Sequence, residues 1–116
     1  MSRLQAEKRG RRGEAIAAWF LRFRGWRIVG KRIKTPRGEV DLIARRGKTV
    51  AFVEVKARTK MTDLATAVDA YRLRRVAAAA EILLPKYGKG TENMQIDVIL
   101  VAPWRWPHHL PNVWHE

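Results

Sequence analysis

The sequence has no cysteine among its 116 residues, which excludes disulfides and thiolate metal sites and is compatible with a reducing cytosol. It is also short of acids: 11 Asp and Glu stand against 24 Lys and Arg, a formal net charge of +13. An excess of that size makes a polyanion the expected partner, without choosing among DNA, RNA and anionic lipid. No apolar run approaches the ~18 residues of a membrane span, so no membrane partner is expected. The longest early run, residues 15–21, is short and follows an acidic residue, unlike the start of a signal peptide. Internal repeats, a low-complexity linker and a Gly-rich phosphate loop of the Walker or dinucleotide type are all missing, and no nucleotide cofactor site is expected. His108, His109 and His115 have neither i, i+4 spacing nor cysteine partners, so no zinc site is expected. The length allows one core: we read residues 1–12 as a basic flexible arm and 13–116 as a single domain.

What is present is organised around residues 38–58. Val40, Leu42 and Ala44 alternate with Glu39, Asp41, Ile43 and Arg45, and Thr49, Ala51, Val53 and Val55 alternate with Val50, Phe52, Glu54 and Lys56. Both runs have the period of two expected of a strand. Gly47-Lys48 between them suits a two-residue type II′ turn, whose first central residue needs positive φ. That turn pairs Arg46 with Thr49 and Ala44 with Ala51. Continued, it sets Asp41 opposite Glu54 and Glu39 opposite Lys56. Two carboxylates directly across a strand pair repel each other, so something cationic should sit between them. Lys56, two residues from Glu54 on the same face, is one candidate. A divalent ion is the other, and hard oxygen ligands suit Mg²⁺ or Mn²⁺.

Residues 13–24 have helical spacing, with Ile16, Trp19, Phe20 and Phe23 as the expected core stripe. Glu14 points the opposite way beside Ala17, Ala18 and Leu21, small enough in part to let a sheet approach. Gly25 should end this helix, and residues 26–33 read as a first strand before a turn at 35–38. After a polar loop at 59–63, Thr66-Ala67-Val68-Asp69 resembles a capping box and opens a helix that Pro85 should stop. Its buried stripe is Leu73, Val76, Ala77, Ala80 and Leu83 or Leu84. Residues 94–102 form an apolar run suited to a strand covered on both faces, with Asp97 as a hydrogen-bonding interruption. In the tail, Trp104, Trp106 and Trp114 are expected mainly to cap the core, although tryptophan and arginine can also stack on bases.

Glu14, Asp41, Glu54 and Lys56 together form a phosphodiesterase arrangement. Such hydrolysis needs a metal on a non-bridging oxygen, an activated water in line and neutralisation of charge at phosphorus. Asp41 and Glu54 would hold the metal, Lys56 would orient the water or help deprotonate it, and Glu14 would act through water or a second ion. Arg12, Arg37, Arg58, Arg72 and Arg75 are the expected nucleic-acid contacts. The segments Arg12-Gly13-Glu14-x-x-Ala17, Gly38-Glu39-Val40-Asp41-Leu42-Ile43-Ala44 and Phe52-Val53-Glu54-Val55-Lys56-x-Arg58 resemble the YraN family, also called UPF0102. Those proteins are similar to archaeal Holliday-junction resolvases and the PD-(D/E)xK, or restriction-endonuclease-like, superfamily. The resemblance implies an α/β fold with a mixed sheet flanked by helices, and a Mg²⁺ or Mn²⁺ pocket at Asp41, Glu54 and Lys56 with the Val55 carbonyl as a further ligand. It also implies DNA as the partner, branched or structured, and makes a homodimer plausible. The other reading keeps the fold as a nucleic-acid binder without meaningful turnover. One departure is Arg72-Leu73, where the family usually has lysine and glutamine; arginine keeps the charge but cannot serve as a base near neutral pH.

Overall fold

Gly47 and Lys48 turn the chain between β2 (Gly38–Arg46) and β3 (Thr49–Ala57), with Gly47 at φ 58. Arg46 pairs with Thr49 and Ala44 with Ala51, the register that the turn chemistry predicts. Around this hairpin the computed structural model, which describes residues 3–58 and 69–114, sets α1 (Arg3–Phe23), β1 (Arg27–Thr35), α2 (Ala70–Tyr87), β4 (Asn93–Val101) and β5 (His108–Leu110). The five strands lie in chain order in one sheet. Every neighbouring pair is antiparallel except β3 and β4, which are parallel and so need a crossover, supplied by α2. The result is the expected mixed α/β sheet flanked by helices. The polar loop expected at residues 59–63 and the cap expected at Thr66 lie outside the described residues. No helix among the described residues is long and apolar enough to cross a membrane.

Both faces of the central strands are covered. On one, Ala17, Ala18 and Leu21 of α1 pack with Leu42, Ala44, Ala51, Val53 and Ile99. On the other, Leu73, Val76, Ala79 and Ala80 of α2 pack with Ile43, Val50, Phe52, Ile96 and Val98. This explains the apolar run in β4 and the burial of Leu42 and Ile43 side by side, because successive side chains enter different helix–sheet layers.

Two features of α1 correct the sequence reading. The helix starts at Arg3 rather than Gly13, so residues 3–12 of the expected arm are helical. Leu, Gln, Ala, Glu, Lys and Arg at positions 4–9 are good helix formers, and they extend a helix without needing a buried stripe. The buried side of α1 is also the other strip. Ala17 and Leu21 are fully buried, whereas Trp19 is 70% and Phe23 88% exposed. The sheet selects the small residues because only they permit the approach: a Cβ added at Gly13 would lie 3.1 Å from Ala57 Cβ. Ile16, Trp19, Phe20 and Phe23 are therefore not the core stripe.

In α2, Asp69 is itself the N-cap, its carboxylate accepting from the backbone N–H groups of Tyr71 and Arg72. The helix also runs through Pro85 to Tyr87 instead of stopping before it. In a last turn the proline removes only one N–H, and Gly88 N–H caps Leu84 O at 2.8 Å. Asp97 is fully buried in mid-strand. It accepts from Gln95 Nε2 and, at 2.9 Å, from Asn112 N, and lies 2.8 Å from His109 Nε2. The acid thus ties β5 and the following turn to β4, a structural role of the kind the sequence favoured.

Candidate active site

The β2–β3 pairing ends at Leu42 and Val53, so Asp41–Glu54 and Glu39–Lys56 are not realised as ladder pairs. In a continued ladder Val55 N–H would bond the Val40 carbonyl. Instead it donates to Asp41 Oδ2 at 2.8 Å. A side chain replaces the strand at this point, which fixes the Asp41 carboxylate beside Glu54. Burial, with smaller contributions from the charges of Glu14 and Glu54, raises the Asp41 carboxyl from 3.8 to about 6, against the opposing Val55 hydrogen bond and Arg72.

Glu54 is 2% exposed. Its Oε1 accepts from Arg72 Nε on the first turn of α2, while Oε2 is buried with no hydrogen-bond partner among the described residues. The Arg72 guanidinium holds its proton more tightly than usual, first because of that hydrogen bond. Asp41, Glu54 and Arg72 line a cavity of about 70 Å³, closed by Glu39, Tyr71, Arg75 and Val76. The two acids expected to share a site therefore do so, on the side of the sheet covered by α2.

The remaining candidates divide. Lys56 is 6% exposed but does not line this cavity, and it makes no ion pair among the described residues. Glu14 turns to Arg32, whose Nε lies 2.6 Å from its Oε1, and reaches the site only as a charge felt by Asp41. Arg75 faces the cavity, and Arg72 is engaged by Glu54 rather than free for phosphate. Arg37 is 3.8 Å from Glu81 at the surface, and Arg12 and Arg58 are exposed. Glu39 and Tyr71 were not singled out from the sequence. The period of two that placed Glu54 with Lys56 also places Glu39 with Asp41, and could have found it.

The residues fit a small hard cation. Two carboxylates converge beside the Val55 backbone, one with a buried oxygen that has no partner among the described residues. No group of three or more His, Cys, Asp or Glu side chains suited to a metal occurs among the described residues, but Mg²⁺ commonly takes only one or two carboxylates, completing its shell with water and substrate phosphate.

The raised Asp41 carboxyl gives a pH expectation for the metal-free protein. A group whose folded pKa exceeds its unfolded value contributes stability that is full below the unfolded value and is lost as pH rises through the folded one. Here the window runs from 3.8 to about 6. Urea midpoints measured in EDTA should show Asp41→Asn gaining on wild type across that window, by at most about 3 kcal/mol. A difference that stays flat over those pH values would show that burial does not disfavour the ionised acid.

The mixed five-stranded sheet with α1 on one face and α2 on the other resembles a fold known among solved structures. Hjc of Archaeoglobus fulgidus, described as a Holliday junction resolvase from an archaeal hyperthermophile, aligns with a TM-score of 0.60 at 22% identity, covering 88% of this chain and 71% of that one. The chain itself belongs to the uncharacterised protein family UPF0102, whose profile matches residues 13–101. Relatives bearing that family name include one from Rhizorhabdus wittichii, 71% identical over 97% of this chain and 96% of that protein. Another, from Sphingopyxis alaskensis, is 60% identical over 98% of each.

Proposed function

We propose that this protein is a metal-dependent endonuclease acting on DNA phosphodiester bonds, with branched or otherwise structured DNA as its substrate. The observation that carries the reading is the convergence of Asp41 and Glu54 on one cavity, with Glu54 Oε2 buried and unpartnered among the described residues. A protein that only bound nucleic acid would gain by losing acids that repel phosphate. The fold likeness to a protein described as a Holliday junction resolvase supports the branched substrate.

Asp41, Glu54 Oε2 and the Val55 carbonyl would hold Mg²⁺ or Mn²⁺, which when bound supplies Lewis acidity toward a non-bridging oxygen and a more acidic water. Asp41 is held ready by the Val55 N–H. Arg75, at the rim of the cavity, would take a phosphate oxygen, and Arg72 would do so once released from Glu54. Lys56 would place the attacking water and offset charge developing at phosphorus. Glu14 would act through its field on Asp41, its carboxylate being taken by Arg32.

A second reading, a nucleic-acid-binding protein that keeps the fold without turnover, is favoured by the guanidinium already on Glu54 and by Lys56 lying away from the cavity lining. Incubation with four-way junction, flap, duplex, single-stranded DNA and RNA, each in Mg²⁺ and in Mn²⁺, separates the two. Cleavage of junction or flap DNA is the expected result. Binding without cleavage of any substrate in either ion would leave the second reading in place of the first.

A further inference from the structure

The aromatic strip that α1 does not bury belongs to a second surface. Ile16, Trp19, Phe20 and Phe23 line one side of an open groove of about 500 Å³, and Trp106 and Pro107 line the other. The loop that brings Trp106 here, Pro103-Trp104-Arg105-Trp106-Pro107, leaves β4 after Val101. It presents Trp104 fully exposed and Trp106 80% exposed. These two tryptophans therefore do not cap the core, whereas Trp114 packs against it. Trp104 takes φ 63, a left-handed conformation that a bulky side chain rarely adopts and that collects at ligand-binding segments. Prolines at both ends stiffen the loop, so little order remains to be imposed when something binds.

The charge of the surface selects its occupant. The Arg22 guanidinium lies over Trp19 at 5.4 Å and that of Arg24 over Phe20 at 5.0 Å, and Arg105 stands between the two exposed tryptophans. Among the described residues no carboxylate lines the groove and none pairs with these three arginines. A second copy of a chain of net charge +13 would set these arginines against their own kind. A strand of nucleic acid with unpaired bases meets both demands, because bases stack on indole and phenyl rings while phosphates take the guanidinia.

We infer that the groove between α1 and the 103–107 loop is a stacking site for the unpaired nucleobases of a single-stranded segment. The 103–107 loop and the cavity share one end of the sheet, on opposite faces of it. Because β4 is parallel to β3, the loop leaves the sheet at the end where Glu54 and Lys56 lie, and Arg58 N–H bonds Val101 O at 2.8 Å there. The inference rests on nucleic acid as the partner of the proposed function, and not on turnover.

The test is binding of the full chain in EDTA to a fluorescent oligothymidylate of about 12 nucleotides and to an abasic strand of equal length and charge, which keeps the phosphates and removes the rings. Wild type should prefer the base-bearing strand by about tenfold or more. The double variant Trp19→Ala, Trp106→Ala should lose that preference while keeping the slope of affinity against salt, which counts phosphates. Both side chains are mostly exposed, so an unchanged melting temperature confirms that the fold survives. Equal binding of the two strands by wild type, binding of neither, or a preference that outlasts the double variant would overturn the inference. So would a switch from dimer to monomer on sedimentation, which would give the groove to a second copy. Failure of catalysis appears separately, as intact junction DNA in Mg²⁺ and Mn²⁺.

Discussion

If the proposed chemistry holds, Asp41→Asn and Glu54→Gln should abolish cleavage of branched DNA in Mg²⁺ or Mn²⁺, by on the order of 10³-fold or more, while binding of the same DNA should persist or tighten. Each substitution removes one anionic ligand and keeps the side chain's shape. The amide oxygen that Asp41→Asn introduces can still accept from Val55 N–H, as Asp41 Oδ2 does at 2.8 Å, so the meeting of the two strands should survive. Binding should not fall, since a charge that repels phosphate has gone. Lys56→Ala makes the informative contrast, losing turnover with Mn²⁺ affinity nearly intact. The decisive measurement is single-turnover cleavage beside an equilibrium binding assay on the same junction. An Asp41→Asn protein that cuts at the wild-type rate would remove the carboxylate pair from the chemistry.

The second large effect is on stability. A Cβ added to Gly38 would lie 2.0 Å from the carbonyl oxygen of Arg75 and 2.8 Å from its carbon. Both are backbone atoms of α2, so no side chain can turn aside to make room. Gly38→Ala must push β2 and the first turns of α2 apart, at about 3 kcal/mol or more, roughly 10 °C or more in melting temperature. Because Arg72 lies one turn before Arg75, the same displacement draws its guanidinium away from Glu54, and cleavage and stability should fall together. Gly10→Ala supplies the comparison. Nothing lies within 4 Å of a Cβ there, and in mid-helix alanine is favoured over glycine by up to about 1 kcal/mol. Thermal melts of the two proteins should move in opposite directions. If Gly38→Ala melts with wild type, α2 is not pressed onto β2 as closely as the structure has it.

The hairpin was legible in the sequence because its information is local. Gly47 fixes the turn, the turn fixes Arg46 against Thr49, and the period of two then orients every side chain up to Leu42 and Val53. Past that pair local rules stop applying, since the Asp41 carboxylate and not a backbone carbonyl receives the Val55 amide. The buried side of α1 was not legible for a different reason. A helix with two apolar strips leaves the choice to its neighbour, and a sheet that comes close enough to touch Gly13 accepts only the strip with alanines. The counter-ion of Glu54 belongs to the same class. Position 72 reads as one of several arginines on a basic turn, and only the approach of α2 to β3 shows which of them meets the acid.

That guanidinium has a consequence for titrations of this protein. Glu54 already has a cation of its own, half-exposed and tethered, so an incoming divalent ion must share the carboxylate or evict the arginine. Whatever dissociation constant such a titration returns is the remainder of a competition rather than the strength of a vacant cage. A phosphate arriving at the same time would give the evicted side chain somewhere to go, so ion and nucleic acid should each make the other's entry easier.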